Sequence, residues 1–157
     1  MFPENIRAIA QVSGPVELRS GIHSNVYYDM DKILLRKDVA DPVIDDISRL
    51  IPLDTVLLGV PDGGDRWARA ISERFGSVIY IPSSKRGGID KPPNVVFPNR
   101  ITIIEDVVTI GGSSLDFIRK LVGLGATEFF LFAVLLRGDY PLCFDGLNVR
   151  FRYLWSI

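Results

Sequence analysis

Arg100-Ile101-Thr102-Ile103-Ile104-Glu105-Asp106-Val107-Val108-Thr109-Ile110-Gly111-Gly112-Ser113-Ser114 is the stretch that decides the fold. Ile101, Ile103 and Ile104 are β-branched and apolar, the composition of a buried strand. Glu105 and Asp106 follow where that strand is expected to run out. A turn of small residues comes next, Thr109 to Ser113, and then Leu115, Ile118, Leu121 and Val122 recur at helical spacing. The order is strand, acidic pair, glycine-bearing loop, helix. In an open parallel sheet, ligands bind at the carboxyl ends of strands. A helix N-terminus offers free N–H groups and a positive dipole end to an anion. Gly111 and Gly112 let the backbone approach a phosphate, and Thr109, Ser113 and Ser114 add hydroxyl donors. Two carboxylates beside a phosphate would repel it, unless the ligand also presents sugar hydroxyls or brings Mg²⁺.

On these residues the stretch resembles the phosphoribosyl-pyrophosphate (PRPP) motif of type I phosphoribosyltransferases. That motif is an apolar run, two acids, two apolar residues, a Thr-rich turn and a glycine. Ile104-Glu105-Asp106-Val107-Val108-Thr109 and Gly111-Gly112-Ser113 match it. Thr102, usually apolar, and Ile110, usually small or hydroxylated, depart from it. The alternative is an ordinary strand-turn-helix unit with a solvated acidic end.

Working outward, Thr55 to Val60 reads as a buried strand running into Pro61-Asp62-Gly63-Gly64-Asp65, with Trp67, Ala68, Ile71 and Phe75 marking the next helix. The loop has neither the Gly-Lys-Ser/Thr ending of a Walker A loop nor dinucleotide-site glycine spacing. It resembles the Gly-Gly version of the family's pyrophosphate loop. Ser77 to Ile81 reads as a further strand. In orotate phosphoribosyltransferases it leads into Arg-Lys and a mobile loop bearing more Lys and a His. Here Pro82 and Ser83 stand in place of Arg-Lys, the loop looks short, and Lys85, Arg86 and Lys91 are its cations. A Gly/Pro-rich solvated linker is the competing view.

Upstream, Pro3 to Gln11 is expected to be a short helix, broken by Gly14-Pro15. Val16 to Asp29 reads as two short strands around a turn at Ser20 to Asn25. This flap resembles the hood of orotate phosphoribosyltransferases, through Arg19-Ser20-Gly21, Ser24 and Tyr27-Tyr28. The resemblance puts Arg19 and the tyrosines against the base, where a ring stacks on aromatics and a cation suits its carboxylate. A hairpin with packing tyrosines is the alternative. His23, the one histidine, reads as an exposed turn residue, not a zinc ligand or part of a triad. Asp38 to Ile51 is an amphipathic helix starting at Asp38 or at Asp41, with Pro42 at its first position.

Downstream, Thr127 to Leu136 is an apolar strand ending in Arg137, and Val149 to Trp155 a final, edge strand. By resemblance Arg137 pairs with a base carboxylate; a strand-end salt bridge is the other reading.

The 157 residues suit one domain, with a hood over 1–35 and a core over 36–157. Alternating strands and helices argue an α/β fold, a mostly parallel sheet flanked by helices. A net charge of −1 gives no case for nucleic acid or a membrane surface. The N-terminal segment does not read as a signal peptide, and no apolar run is long enough to span a bilayer. Cys143, the single cysteine, excludes an internal disulfide and agrees with a cytoplasmic location.

The resemblance implies a Mg²⁺-dependent transfer of phosphoribose from PRPP to a pyrimidine, most simply orotate, in a homodimer. Glu105 and Asp106 would hold the ribose hydroxyls and, through water or PRPP, the metal. Val107 and Thr109 to Ser113, including Ile110, would surround the 5′-phosphate. Asp62, Gly63 and Gly64, with Lys85 and Arg86, would face the pyrophosphate, and Lys85, Arg86 and Asp106 would be the catalytic groups. Arg19, Tyr27, Tyr28 and Arg137 would meet the base. A non-catalytic PRPP or nucleotide sensor, favoured by Pro82 and Ser83, and a purine transferase are the rival readings.

Overall fold

The computed structural model describes residues 1–18, 21, 23–86, 88–91, 93–94, 96–139 and 143–157. In chain order the elements are α1 (Glu4–Ala10), β1 (Gln11–Glu17), β2 (His23–Tyr28), α2 (Asp31–Leu34), α3 (Lys37–Ser48), β3 (Val56–Gly59), α4 (Gly63–Arg74), β4 (Ser83–Ser84), β5 (Gly88–Ile89), β6 (Arg100–Val108), α5 (Gly112–Gly123), β7 (Glu128–Leu136) and β8 (Asn148–Ser156).

The frame is a four-stranded sheet in the order β3-β6-β7-β8, and every neighbouring pair in it is parallel. Strand alternation sends Leu57, Ile104 and Phe132 to one face, where Ile47 of α3 and Trp67 and Ile71 of α4 cover them. Leu58, Ile101, Ile103 and Leu131 go to the other face, against Phe117, Ile118 and Leu121 of α5. With both faces covered, these strands read as continuous apolar runs. A second sheet, the antiparallel hairpin β1-β2, forms the hood.

Several expectations shift. β6 does not end before the acidic pair: it runs through Glu105 and Asp106 to Val108, with Glu105 opposite Ala133 and Val107 opposite Leu135 of β7. Gly14-Pro15 does not break the N-terminal segment. It sits inside β1 as a bulge, the register slipping by one residue between Ser13↔Val26 and Val16↔Ser24, with Gly14 at φ +141°.

α3 starts at Lys37, so Pro42 lies inside the helix and not at its first position. Asp41 is no cap: its carboxylate pairs with Arg74 of α4 at 3.1 Å. Arg74 also grips Asp45 through Nε and Nη2, both at 2.6 Å. Burial of Ala40, Val43, Ile44 and Ile47 holds α3 together despite the proline. The strand expected over Ser77 to Ile81 reduces to one parallel bridge, Leu57↔Tyr80. β8 is an edge strand, as expected.

Thr102 is fully buried, and its hydroxyl lies 2.6 Å from that of Thr55, both within reach of the Pro52 carbonyl. The departure from an apolar residue is thus a satisfied polar site tying β6 to the chain entering β3.

Candidate active site

Because β6 continues through the acidic pair, Glu105 and Asp106 point to opposite faces of the sheet. Glu105 is 4% exposed and accepts a hydrogen bond from Ser114 Oγ of α5 at 2.8 Å. Asp106 is half-buried, with its carboxylate against the Cα of Gly63 in α4. Each acid therefore lies at the N-terminus of a 12-residue helix, where the dipole end favours negative charge.

Val108 gives way to Thr109 and Ile110, and Gly111 turns the chain at φ +78°, a left-handed conformation that favours glycine. α5 begins at Gly112, and Leu115 N–H closes on Gly111 C=O at 2.9 Å. Gly112 and Ser113 are exposed, Ile110 is solvent-facing, and the first-turn N–H groups of α5 are free of intrahelical partners.

This run, Glu105 to Ser114, forms one wall of a cleft of about 310 Å³. Leu18, Tyr27 and Tyr28 of the hood and Arg137 from the end of β7 line the rest. The two tyrosines divide the work. Tyr28 is buried and meets Phe2 edge-on at 5.8 Å. Tyr27 is exposed enough to present its ring to a ligand. Arg137 donates to Val26 C=O at 2.9 Å and to Ser24 Oγ at 2.6 Å, with its guanidinium 5.7 Å from the Tyr28 ring centre. It thus fastens β2 to the end of β7 and holds the hood over the cleft, an arrangement neither sequence alternative included. Arg19 lies outside the described residues.

Replacing Arg137 with Ala removes both bonds to β2, a loss of roughly 1.5–3 kcal/mol for each bond to a charged group. Hydrogen exchange at the Ser24 to Tyr28 amides is expected to rise sharply while β6 and β7 stay protected. Unchanged exchange would show that the hood is held by something else.

Asp62, Gly63, Gly64, Lys85 and Arg86 do not line this cleft. They form a second group on the α4 side of Asp106. Lys85 Nζ reaches Asp62 at 3.1 Å, and Arg86 is exposed. The Pro61–Asp62 peptide is cis. Gly63 and Gly64 are buried in the first turn of α4, where any Cβ would collide with the Asp106 carboxylate and the Ile104 carbonyl respectively. The glycine pair is thus what lets α4 lie directly on β6.

Asp65 and Arg66 have no role in the sequence analysis, Ser83 figures there only in place of a cation, and Ser114, expected to donate its hydroxyl to a phosphate, is instead buried and donates to Glu105. Ser114 is spaced three and four residues before the buried Phe117 and Ile118, and Asp65 three before Ala68. That spacing marks both as inward-facing polar groups. Arg66 pairs with Asp31, which raises its pKa, and Asp62 and Asp106 add to the effect. Ser83 is buried and bonded to Asp65.

Tyr80 also donates to Asp65, at 2.7 Å, and burial, with this bond, pushes its pKa from 10 up to about 12. The folded chain then holds a proton that the unfolded chain gives up first. Stability is fully present below pH 10 and falls as pH rises from about 10 to 12. Denaturant titrations across that window should show a shallower loss in Tyr80→Phe than in the parent; an equal loss would put the alkaline weakness elsewhere.

Among the described residues no group of three or more His, Cys, Asp or Glu side chains could hold a metal ion by itself, and no helix is long and apolar enough to cross a membrane.

No family model matches the chain. The orotate phosphoribosyltransferase of Nocardioides sp. is 34% identical over 160 residues, covering 93% of this chain and 86% of that protein. Three further curated orotate phosphoribosyltransferases are matched over 59 to 67% of their length. Among solved structures, the orotate phosphoribosyltransferase of Aeropyrum pernix superposes with a TM-score of 0.74 at 25% identity, covering 94% of this chain and 88% of that one. The Mycobacterium tuberculosis enzyme in complex with 5-phospho-α-D-ribosyl 1-diphosphate gives 0.71 at 23% identity, over 98% and 92%. With a strand-borne acid couple, a glycine turn and a covering hood in the same order along the chain, and a relative this similar over most of both lengths, this chain belongs to the orotate phosphoribosyltransferases, a branch of the type I phosphoribosyltransferase family.

Proposed function

We propose that the protein transfers phosphoribose from PRPP to orotate, forming the N-glycosidic bond at C1 and expelling pyrophosphate. The observation that carries this reading is the single cleft into which the acid couple, the Gly111 turn, the hood tyrosines and Arg137 all open. A phosphate at the Thr109–Ser113 turn meets hydroxyls and the N–H groups of α5. The adjoining ribose hydroxyls would donate to Glu105 and Asp106, which line the same cleft beside that turn. Tyr27 offers a stacking face to a planar base. Arg137 spends two donors on the hood and keeps the rest of its fork for the base carboxylate.

Negative charge grows on the departing pyrophosphate, so cations facing it stabilise the transition state more than the ground state. Lys85, whose ammonium lies 3.1 Å from Asp62, would do so, with Arg86 beside it. The donor set also suits Mg²⁺, which takes one or two carboxylates and completes its shell with water and phosphate oxygens. Because Glu105 and Asp106 leave the strand on opposite faces, they would hold the ion through water or PRPP oxygens and not as a chelating pair, and its chemistry there would be to neutralise charge on the diphosphate.

The test is PRPP and Mg²⁺ with a panel of bases, reading pyrophosphate release. Turnover with orotate and not with purines is expected. PRPP binding without release for any base would identify a sensor instead, and release with a purine would reassign the base.

A further inference from the structure

The reduced segment after Ile81 is a tight hairpin. β4 and β5 pair antiparallel, Ser83 with Ile89 and Ser84 with Gly88, and Asp90 N–H closes the base on Pro82 C=O at 2.9 Å. Lys85 and Arg86 fall in its turn.

The base of this hairpin is latched to α4. Ser83 N–H donates to Asp65 Oδ1 at 2.9 Å, and its hydroxyl donates to the Gly59 carbonyl at the end of β3. Tyr80 Oη donates to the same Asp65 oxygen, and Arg69 bonds Tyr80 in turn. Asp65 is 8% exposed and Ser83 7%. A buried carboxylate that collects several donors is a stiff anchor, because losing it strands those donors away from water. Lys85 is two residues beyond Ser83, about 7 Å of extended chain, and its ammonium rests on Asp62.

We infer that Asp65 is a positioning residue: through Ser83 it fixes the hairpin so that Lys85 stands over the Pro61–Gly64 loop. The serine at 83 then has a use that a lysine there could not serve, since only a short hydroxyl side chain reaches the Gly59 carbonyl from that buried site. The inference rests on the proposed role of Lys85 toward pyrophosphate.

Inorganic pyrophosphate with Mg²⁺, titrated by calorimetry, tests it apart from turnover. Lys85→Ala is expected to weaken binding about tenfold, the worth of one charge-assisted hydrogen bond. Asp65→Ala should lose a similar factor. Asp65→Asn should recover most of it, because its amide oxygen still accepts from Ser83 N–H. The double variant Asp65→Ala/Lys85→Ala should bind no worse than Lys85→Ala, and exchange of the Ser83, Ser84 and Ile89 amides should rise in Asp65→Ala while β7 is unaffected. If Asp65→Ala fails to fold, Ser83→Ala gives the milder form of the same experiment, with the same coupling to Lys85. Losses that multiply in the double variant would overturn the inference, as would full affinity in Asp65→Ala or in Lys85→Ala. A parent that binds pyrophosphate in this pattern yet never releases it from PRPP would fail as a transferase and leave the latch standing.

Discussion

Asp106→Asn is expected to lower kcat/KM for PRPP by on the order of a hundredfold, the usual cost of misplacing a reacting group, with little change in melting temperature. The substitution keeps the volume against Gly63 while removing the charge and turning one acceptor oxygen into an N–H donor. Glu105 needs a different probe. Its carboxylate accepts from the buried Ser114 hydroxyl, so an alanine would leave that donor unsatisfied, at roughly 1–3 kcal/mol. Glu105→Gln retains an acceptor for Ser114 while removing the charge. Both variants should show reduced heat on titration with PRPP and Mg²⁺, and the double variant should show none. If both single variants turn over and bind like the parent, the acid couple does not hold the pentose.

The legible part of the fold was the part written in periodicity. Ile101, Ile103 and Ile104, the apolar run of β7 and the helical spacing of Trp67, Ala68 and Ile71 state the layers directly, because a sheet covered on both faces leaves little room for polar residues. One wall of the cleft was legible for another reason: Glu105 to Ser114 follow one another along a single strand-loop-helix unit. What escaped depends on contacts between distant segments. The Asp65–Ser83 latch joins residues 18 apart, Thr55–Thr102 residues 47 apart, and Arg137–Ser24 residues 113 apart. Pro82 and Ser83 looked like a loss of cations, because a sequence cannot say that the serine is buried under α4. Pro42 misled in the same way: local preference places proline at a helix start, whereas burial of the α3 stripe against α4 carries the helix back to Lys37.

The largest effect on stability is expected from the glycines, and four of them should separate by mechanism. A Cβ at Gly64 would fall on the carbonyl of Ile104, main chain of an interior strand that cannot yield. Gly64→Ala should therefore cost about 3 kcal/mol or more, at the upper end of overpacking. At Gly63 the obstacle is the Asp106 carboxylate, a side chain that can swing aside. Gly63→Ala should fold with a smaller penalty yet lose PRPP affinity, since Asp106, the acid it displaces, is one of the two proposed to hold the ribose. Gly111, at φ +78°, should cost about 1–2 kcal/mol as alanine through backbone strain. Gly112 has open space around its Cβ position and an ordinary φ, so Gly112→Ala should be neutral or stabilising by about 0.4–1 kcal/mol. If the turn before α5 is the phosphate cradle proposed above, its methyl would enter that space and weaken PRPP binding. Chemical denaturation and PRPP titration of the four variants should therefore rank them differently. Identical rankings would mean that these glycines serve packing only and that the turn before α5 does not approach a phosphate.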